Sequence, residues 1–312
     1  MSSAALTRRV AALAVASVLI VIAACAAAPS CPKGEQCPAL VIPRTAEQRT
    51  AVFSGLGAWW DVYDWSPSFS AGSKLEVTDV DRLANAGVQV LYIQSAKANR
   101  PELLLDAAKF SSIVARAHAR GMRVVSWYLP AHVDVKADVA RLVEPLKFGV
   151  DGIALDIEST DNPDLEARNK ALVFTTWFTR LVLPQVPMAA IVLPPVVTDV
   201  LNTRYWPQFP WDKIAKSYDA WMPMGYWTNR TTASGWRDGE RYTNENIDLL
   251  RAHLGNPNAP VHPVGGIANE VTAEEIAGYV RAAQSRGAIG GSLYDDRTSN
   301  PDHYVALQPL RR

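Results

Sequence analysis

Residues 150–159 read Val-Asp-Gly-Ile-Ala-Leu-Asp-Ile-Glu-Ser, an apolar run that ends in two acids, Asp156 and Glu158. Its aliphatic residues suit a buried strand. In a strand, residues two apart point to the same face. Both carboxyls therefore enter one space, with Cα atoms roughly 6.5–7 Å apart. Two acids held that close raise each other's cost of ionisation, so one keeps a proton near neutral pH. A protonated carboxyl beside an ionised one suits acid-assisted cleavage of an acetal. Glu158 is the expected general acid. Asp156 is the expected ionised partner, stabilising positive charge at the reacting carbon.

Such a pair needs a frame. From about Val52, apolar runs alternate with amphipathic helical stretches. Eight runs are predicted as strands: Phe53–Trp59, Val88–Gln94, Arg123–Leu129, Gly152–Glu158, Met188–Leu193, Ala220–Tyr226, Val261–Ile267 and Ile289–Tyr294. Between them, Phe110, Ile113, Val114 and Ala117 form one helical stripe. Thr272 and Glu275 have capping-box spacing. Five helices are expected to close on a glycine just before the next strand, at Gly87, Gly121, Gly149, Gly255 and Gly287. Helix, glycine, strand, repeated, is the pattern of parallel βα units. Eight units in about 260 residues predict an α/β fold, one (β/α)8 TIM barrel. No Gly-x-Gly-x-x-Gly follows the first strand, which disfavours an open, doubly wound sheet.

A barrel of this kind carries its site at the C-terminal ends of its strands. There the sequence concentrates aromatic and acidic residues: Trp59, Trp60 and Asp61 after strand 1, Tyr92 and Gln94 on strand 2, and Trp127 and Tyr128 on strand 3. Strand 6 adds Met224, Tyr226 and Trp227, and strand 8 adds Tyr294 and Asp295. Flat rings with nearby acids and amides suit the apolar faces and hydroxyl edges of sugars. All these residues are expected to bind substrate, with Tyr226 also a hydrogen-bond donor in the reaction. Asp61 and Asp295 are the candidates for any further catalytic acid. Lys97 and Arg204 are the cations placed to reach the pair. Asp151 starts strand 4 on the face opposite the pair, so its expected role is structural.

The remaining features bound partners and location. Arg8 and Arg9 precede an apolar stretch too short for a comfortable membrane span. It ends in Ile22-Ala23-Ala24-Cys25, which resembles a bacterial lipobox. The expected organisation is a lipoprotein signal peptide over 1–24, a linker over 25–50 and the barrel over 51–312. Lipid on Cys25 would tether an exported protein to the outer face of the cytoplasmic membrane. Cys31 and Cys37 are free to form a disulfide there. The 31 basic and 31 acidic residues balance, so nothing suggests a nucleic-acid partner. The five histidines are scattered, no Cys or His cluster has metal-ligand spacing, and the chemistry requires no cofactor. A glycan of the cell envelope or medium is the expected substrate, and a monomer the expected form.

The same residues resemble glycoside hydrolase family 18, the chitinase-like barrels. That family carries Asp-Gly-x-Asp-x-Asp-x-Glu on strand 4, its last Glu being the general acid. Asp151-Gly-Ile-Ala-Leu-Asp156-Ile-Glu158 matches it except at Ala154. The family's Met-x-Tyr-Asp on strand 6 is here Met224-Gly-Tyr226-Trp227. Its Gly-Gly-x-Met-x-Trp on strand 8 is here Gly290-Gly-Ser-Leu-Tyr294, without the Trp. The resemblance implies a hydrolase that uses the substrate's N-acetyl group as nucleophile. The departures at 154 and 227 imply altered chemistry or substrate. The Asp-x-Glu pair is also similar to that of the family 25 lysozyme-type barrels. The alternative is a carbohydrate-binding lipoprotein without turnover on a degenerate barrel.

Overall fold

The computed structural model describes residues 45–312. The leader, the lipidation candidate Cys25 and the Cys31 and Cys37 pair lie outside the described residues. Eight parallel strands build the barrel: β1 (Gly55–Trp60), β2 (Val90–Lys97), β3 (Arg123–Leu129), β4 (Gly152–Ile157), β5 (Met188–Val192), β6 (Ala220–Pro223), β7 (Val264–Ile267) and β8 (Gly290–Tyr294). Their order is β6-β5-β4-β3-β2-β1-β8-β7. Closure between β6 and β7 rests on two bridges, Trp221 to Val261 and Met224 to Val264. The predicted (β/α)8 barrel is the observed one.

The strand pleat sorts side chains into two cores. Trp59, Tyr92, Val125, Ala154, Ala189, Met222 and Val264 point inward and fill the barrel. Leu56, Trp60, Leu91, Tyr128, Leu155 and Trp221 point outward against the helices. This is the alternation expected of a barrel. At the N-terminal end Phe53 plugs the interior, its carbonyl near the His262 ring at 2.9 Å from Nδ1. His262 is buried, and desolvation lowers its pKa to about 4, so the barrel floor carries a neutral imidazole. Gly57 faces inward where an added Cβ would lie 2.7 Å from the Tyr92 ring. That gap lets Tyr92 stack on Trp59 with centroids 4.3 Å apart.

Helix ends follow the sequence closely. Gly87 and Gly149 sit at φ 84° and 82°, a region that penalises a Cβ. The Thr272 and Glu275 capping box is present. Asp151 accepts from Val124 N at 2.7 Å and pairs with His118 Nε2 at 2.9 Å, tying β4 to the helix Ala107–Ala119 as expected.

One boundary moves. Residues 46–51, of which 46–50 were placed in the linker by sequence, form a helix capped by Thr45 and Gln48. Its Arg49 donates to Asp219 at 2.7 Å, and Asp219 also accepts from Arg180. The helix forms because it docks on the barrel floor: six residues are too few to hold a helix alone.

Candidate active site

The C-terminal ends of the strands surround a cavity of about 280 Å³. β4 delivers Asp156 and Glu158 into it, and the other walls are Trp59, Asp61, Tyr63, Gln94, Lys97, Trp127, Leu129, Ile191, Met224, Tyr226, Val264 and Tyr294. Their two-residue spacing thus brings both acids into one space.

The acids differ in depth. Asp156 is 5% exposed, and its Oδ1 has no hydrogen-bond partner. Burial, then the charge of Glu158, push its pKa well above the carboxylate range, against a smaller downward pull from Lys97. Glu158 is partly exposed at the cavity mouth. Burial raises its pKa too, again opposed by Lys97. The pair therefore retains a proton toward neutral pH, as its spacing implies. Asp156 is the more deeply buried of the two.

Aromatic residues wall the acids. Trp127 meets Trp59 edge to face at 6.0 Å, and its Nε1 is buried without a partner. Trp59 is held by a 2.7 Å bond from Nε1 to Ser292 Oγ. Tyr226 and Tyr294 stand 5.6 Å apart. Tyr294 OH donates to Asp61 Oδ2 at 3.2 Å. Burial raises the Tyr226 pKa well above its ordinary value, so its hydroxyl stays a proton donor.

Several expected contacts lie elsewhere. Trp60 Nε1 donates to Asp296 Oδ2 at 2.8 Å, in the helix layer. Tyr128 OH donates to Asp138 at 2.7 Å, also in that layer. Tyr92 is buried beneath Trp59 with its hydroxyl turned to the Phe53 carbonyl. Trp227 is fully buried against Tyr279, with ring centroids 5.5 Å apart. Its indole fills the space over Gly265 and Gly266 of β7. None of these four lines the cavity. For Trp60 and Tyr128 the reason is parity: in a pleat, Trp59 and Trp60 cannot both face inward, nor can Trp127 and Tyr128. For Trp227 it is the sharp turn after β6, where 227–229 form a 3-10 turn.

Asp295 lies beside the cavity and accepts from Thr298 N at 2.9 Å. One carboxylate oxygen each of Asp61, Asp64 and Asp295 lies within 4.8 Å of the others, a group able to hold a cation among the described residues. It also has protein partners. Arg297 donates to Asp64 at 3.3 Å, and burial followed by the charges of Asp61 and Asp295 pushes the Asp64 pKa up to about 7. The burial of Asp64 follows from the turn: Asp61 caps the short helix Val62–Trp65 and folds Asp64 back beneath it.

Lys97 is the cation that lines the cavity, whereas Arg204 is exposed outside it. Sequence reading ended strand 2 at Gln94. The strand runs on to Lys97 through a register shift between Gln94 and Ala96. Leu129, Ile191 and Val264 complete the floor as ordinary inward residues of their strands, and only their parity marks them in the sequence.

No protein-family model and no curated protein matches this chain. Solved structures do. A GH18 chitinase from Cycas revoluta in complex with (GlcNAc)3 superposes with TM-score 0.60 and 11% identity, covering 82% of this chain and 99% of that one. The Bacillus cereus spore cortex-lytic enzyme SleL gives TM-score 0.59 and 11% identity over 83% and 75%. A chitinase from Chromobacterium violaceum gives 0.57 and 10% over 83% and 99%. At this identity the likeness is one of fold: this chain folds like the GH18 barrels that its strand 4 motif resembles.

Proposed function

We propose that this protein is a glycoside hydrolase acting on a glycan of the cell envelope or its surroundings, tethered there through Cys25. The observation that carries the reading is the Asp156–Glu158 pair, Asp156 buried and Glu158 at the mouth, in an aromatic-walled cavity. A buried acid pair without a neutralising ion pair is costly to fold around, and such perturbed groups gather where proton transfer is needed.

Glu158, the member at the mouth, gives its proton to the glycosidic oxygen. Its raised pKa keeps that proton available at mildly acidic pH. The spent Glu158 is left ionised, and Asp156, already ionised while the pair's single proton sits on Glu158, faces the positive charge developing at the anomeric carbon. Tyr226 donates its hydroxyl to a substrate oxygen. Trp59 and Trp127 supply the apolar wall, and the unpartnered Trp127 Nε1 offers a donor to a substrate oxygen. The GH18 chitinase and cortex-lytic neighbours support an N-acetylated glycan as first substrate to try.

The test is release of sugars from a panel of envelope and N-acetylated polysaccharides by the full chain and by Glu158→Gln. The expected outcome is cleavage of at least one glycan, lowered by roughly a hundredfold or more in the variant. Binding without cleavage by either protein would replace this reading with that of a glycan-binding lipoprotein, in line with the missing acid at the buried Ala154.

A further inference from the structure

We infer that Lys97 is an electrostatic positioning residue for the acid pair, a cation turned into the barrel mouth by a bulge in β2 to offset the charge of Asp156 and Glu158. The inference rests on the glycosidase reading for its use in catalysis, but not for its electrostatics. On β2, Val90, Tyr92 and Gln94 point into the barrel or its mouth. A regular strand would send Ala96 inward next and Lys97 out among the helices. The register shift between Gln94 and Ala96 inverts this. Ala96 joins the outer core, and Lys97 enters the cavity. Re-aiming a side chain in this way is a recurrent use of bulges beside sites.

What Lys97 meets there is informative. Its Nζ stands 5.8 Å from the Tyr63 ring centroid and makes no ion pair within 4.0 Å among the described residues. A lysine that merely anchored the rim would be expected to close on a carboxylate. Instead it stands off from both members of the pair, and each feels its charge. Among the described residues, the other groups around the pair supply no second cation. Asp61 and Asp295 add negative charge from the β1 and β8 side, while Tyr226, Tyr294 and Tyr205 present hydroxyls. Arg168 is stacked on Trp206, and Arg297 is bonded to Asp64; neither lines the cavity. One lysine facing two acids balances the charge of the pair itself when the pair holds a single proton. An opposite charge favours the ionised form of a carboxyl and lowers its pKa. Removing Lys97 should therefore make the pair hold its protons to higher pH.

The experiment is a side-chain carboxyl titration by 13C NMR on the ligand-free full chain, for wild type, Lys97→Met and Lys97→Arg. The expected result is that Met moves the Asp156 and Glu158 midpoints upward by about 0.5–1 pH unit and Arg restores them. Unchanged midpoints in Lys97→Met would overturn the assignment. The kinetic readout on a cleaved glycan is a kcat/KM profile shifted to higher pH, with KM little altered. A KM raised at every pH with unmoved midpoints would make Lys97 a substrate contact and refute the proposal. The titration needs no turnover: shifted midpoints in a protein that cleaves nothing would uphold the role of Lys97 and remove the hydrolase reading alone.

Discussion

Asp64→Asn should make the protein more stable at alkaline pH and leave its stability unchanged in acid. In an unfolded chain an aspartate titrates near 3.9. In the folded protein Asp64 titrates at about 7, chiefly because it is buried and then because Asp61 and Asp295 are charged. Between those values the folded state keeps a proton that the unfolded state has released. Stability must then fall as pH rises through the window. Three pH units at about 1.4 kcal/mol each give roughly 4 kcal/mol. Arg297 reaches Asp64 from a half-exposed position, and charge on Asp61 and Asp295 can relax, so about 2 kcal/mol is the expected difference. Asparagine matches the protonated acid in shape and keeps an acceptor for Asp61 N, which bonds Asp64 at 3.3 Å. Urea unfolding of both proteins at pH 4, 6 and 8 measures the effect. The two should coincide at pH 4, and the variant should lead by about 2 kcal/mol at pH 8. Parallel curves at all three pH values would refute the burial argument.

The raised pair predicts that kcat/KM falls as pH rises through the Glu158 midpoint, with activity greatest on the acid side of neutrality; a profile still rising above pH 8 would contradict the acid role. Trp127→Phe removes the unpartnered indole donor while keeping the ring, so glycan Kd should rise about 3–10-fold by titration calorimetry. Trp227→Ala should cost about 3–5 kcal/mol of stability in denaturant unfolding, with glycan Kd unchanged at temperatures where the variant stays folded, since the indole packs on Tyr279 away from the cavity.

Local rules carried much of the reading. Period-two alternation in β4 put Asp156 and Glu158 on one face without any knowledge of the neighbours. Helix-closing glycines and the Thr272 capping box marked the βα repeat, because caps and left-handed turns are chosen within a few residues. Parity was legible too, and it would have turned Trp60 and Tyr128 away from the site. Proximity to a strand end does not decide a side chain's direction; the pleat does.

The sequence by itself determined that a βα barrel would form and that two carboxyls would share its mouth, since both follow from short-range periodicity. Tertiary structure alone decided the rest. Docking on the barrel floor made a helix of residues 46–51. The glycines of β7 opened the space that drew Trp227 into the core. A one-residue bulge, visible only in the pairing of β2 with β3, turned Lys97 inward. Burial depth then separated Asp156 from Glu158 and lifted Asp64 to about 7. Depth and strand register depend on what lies across the barrel, and those partners are tens to hundreds of residues away along the chain.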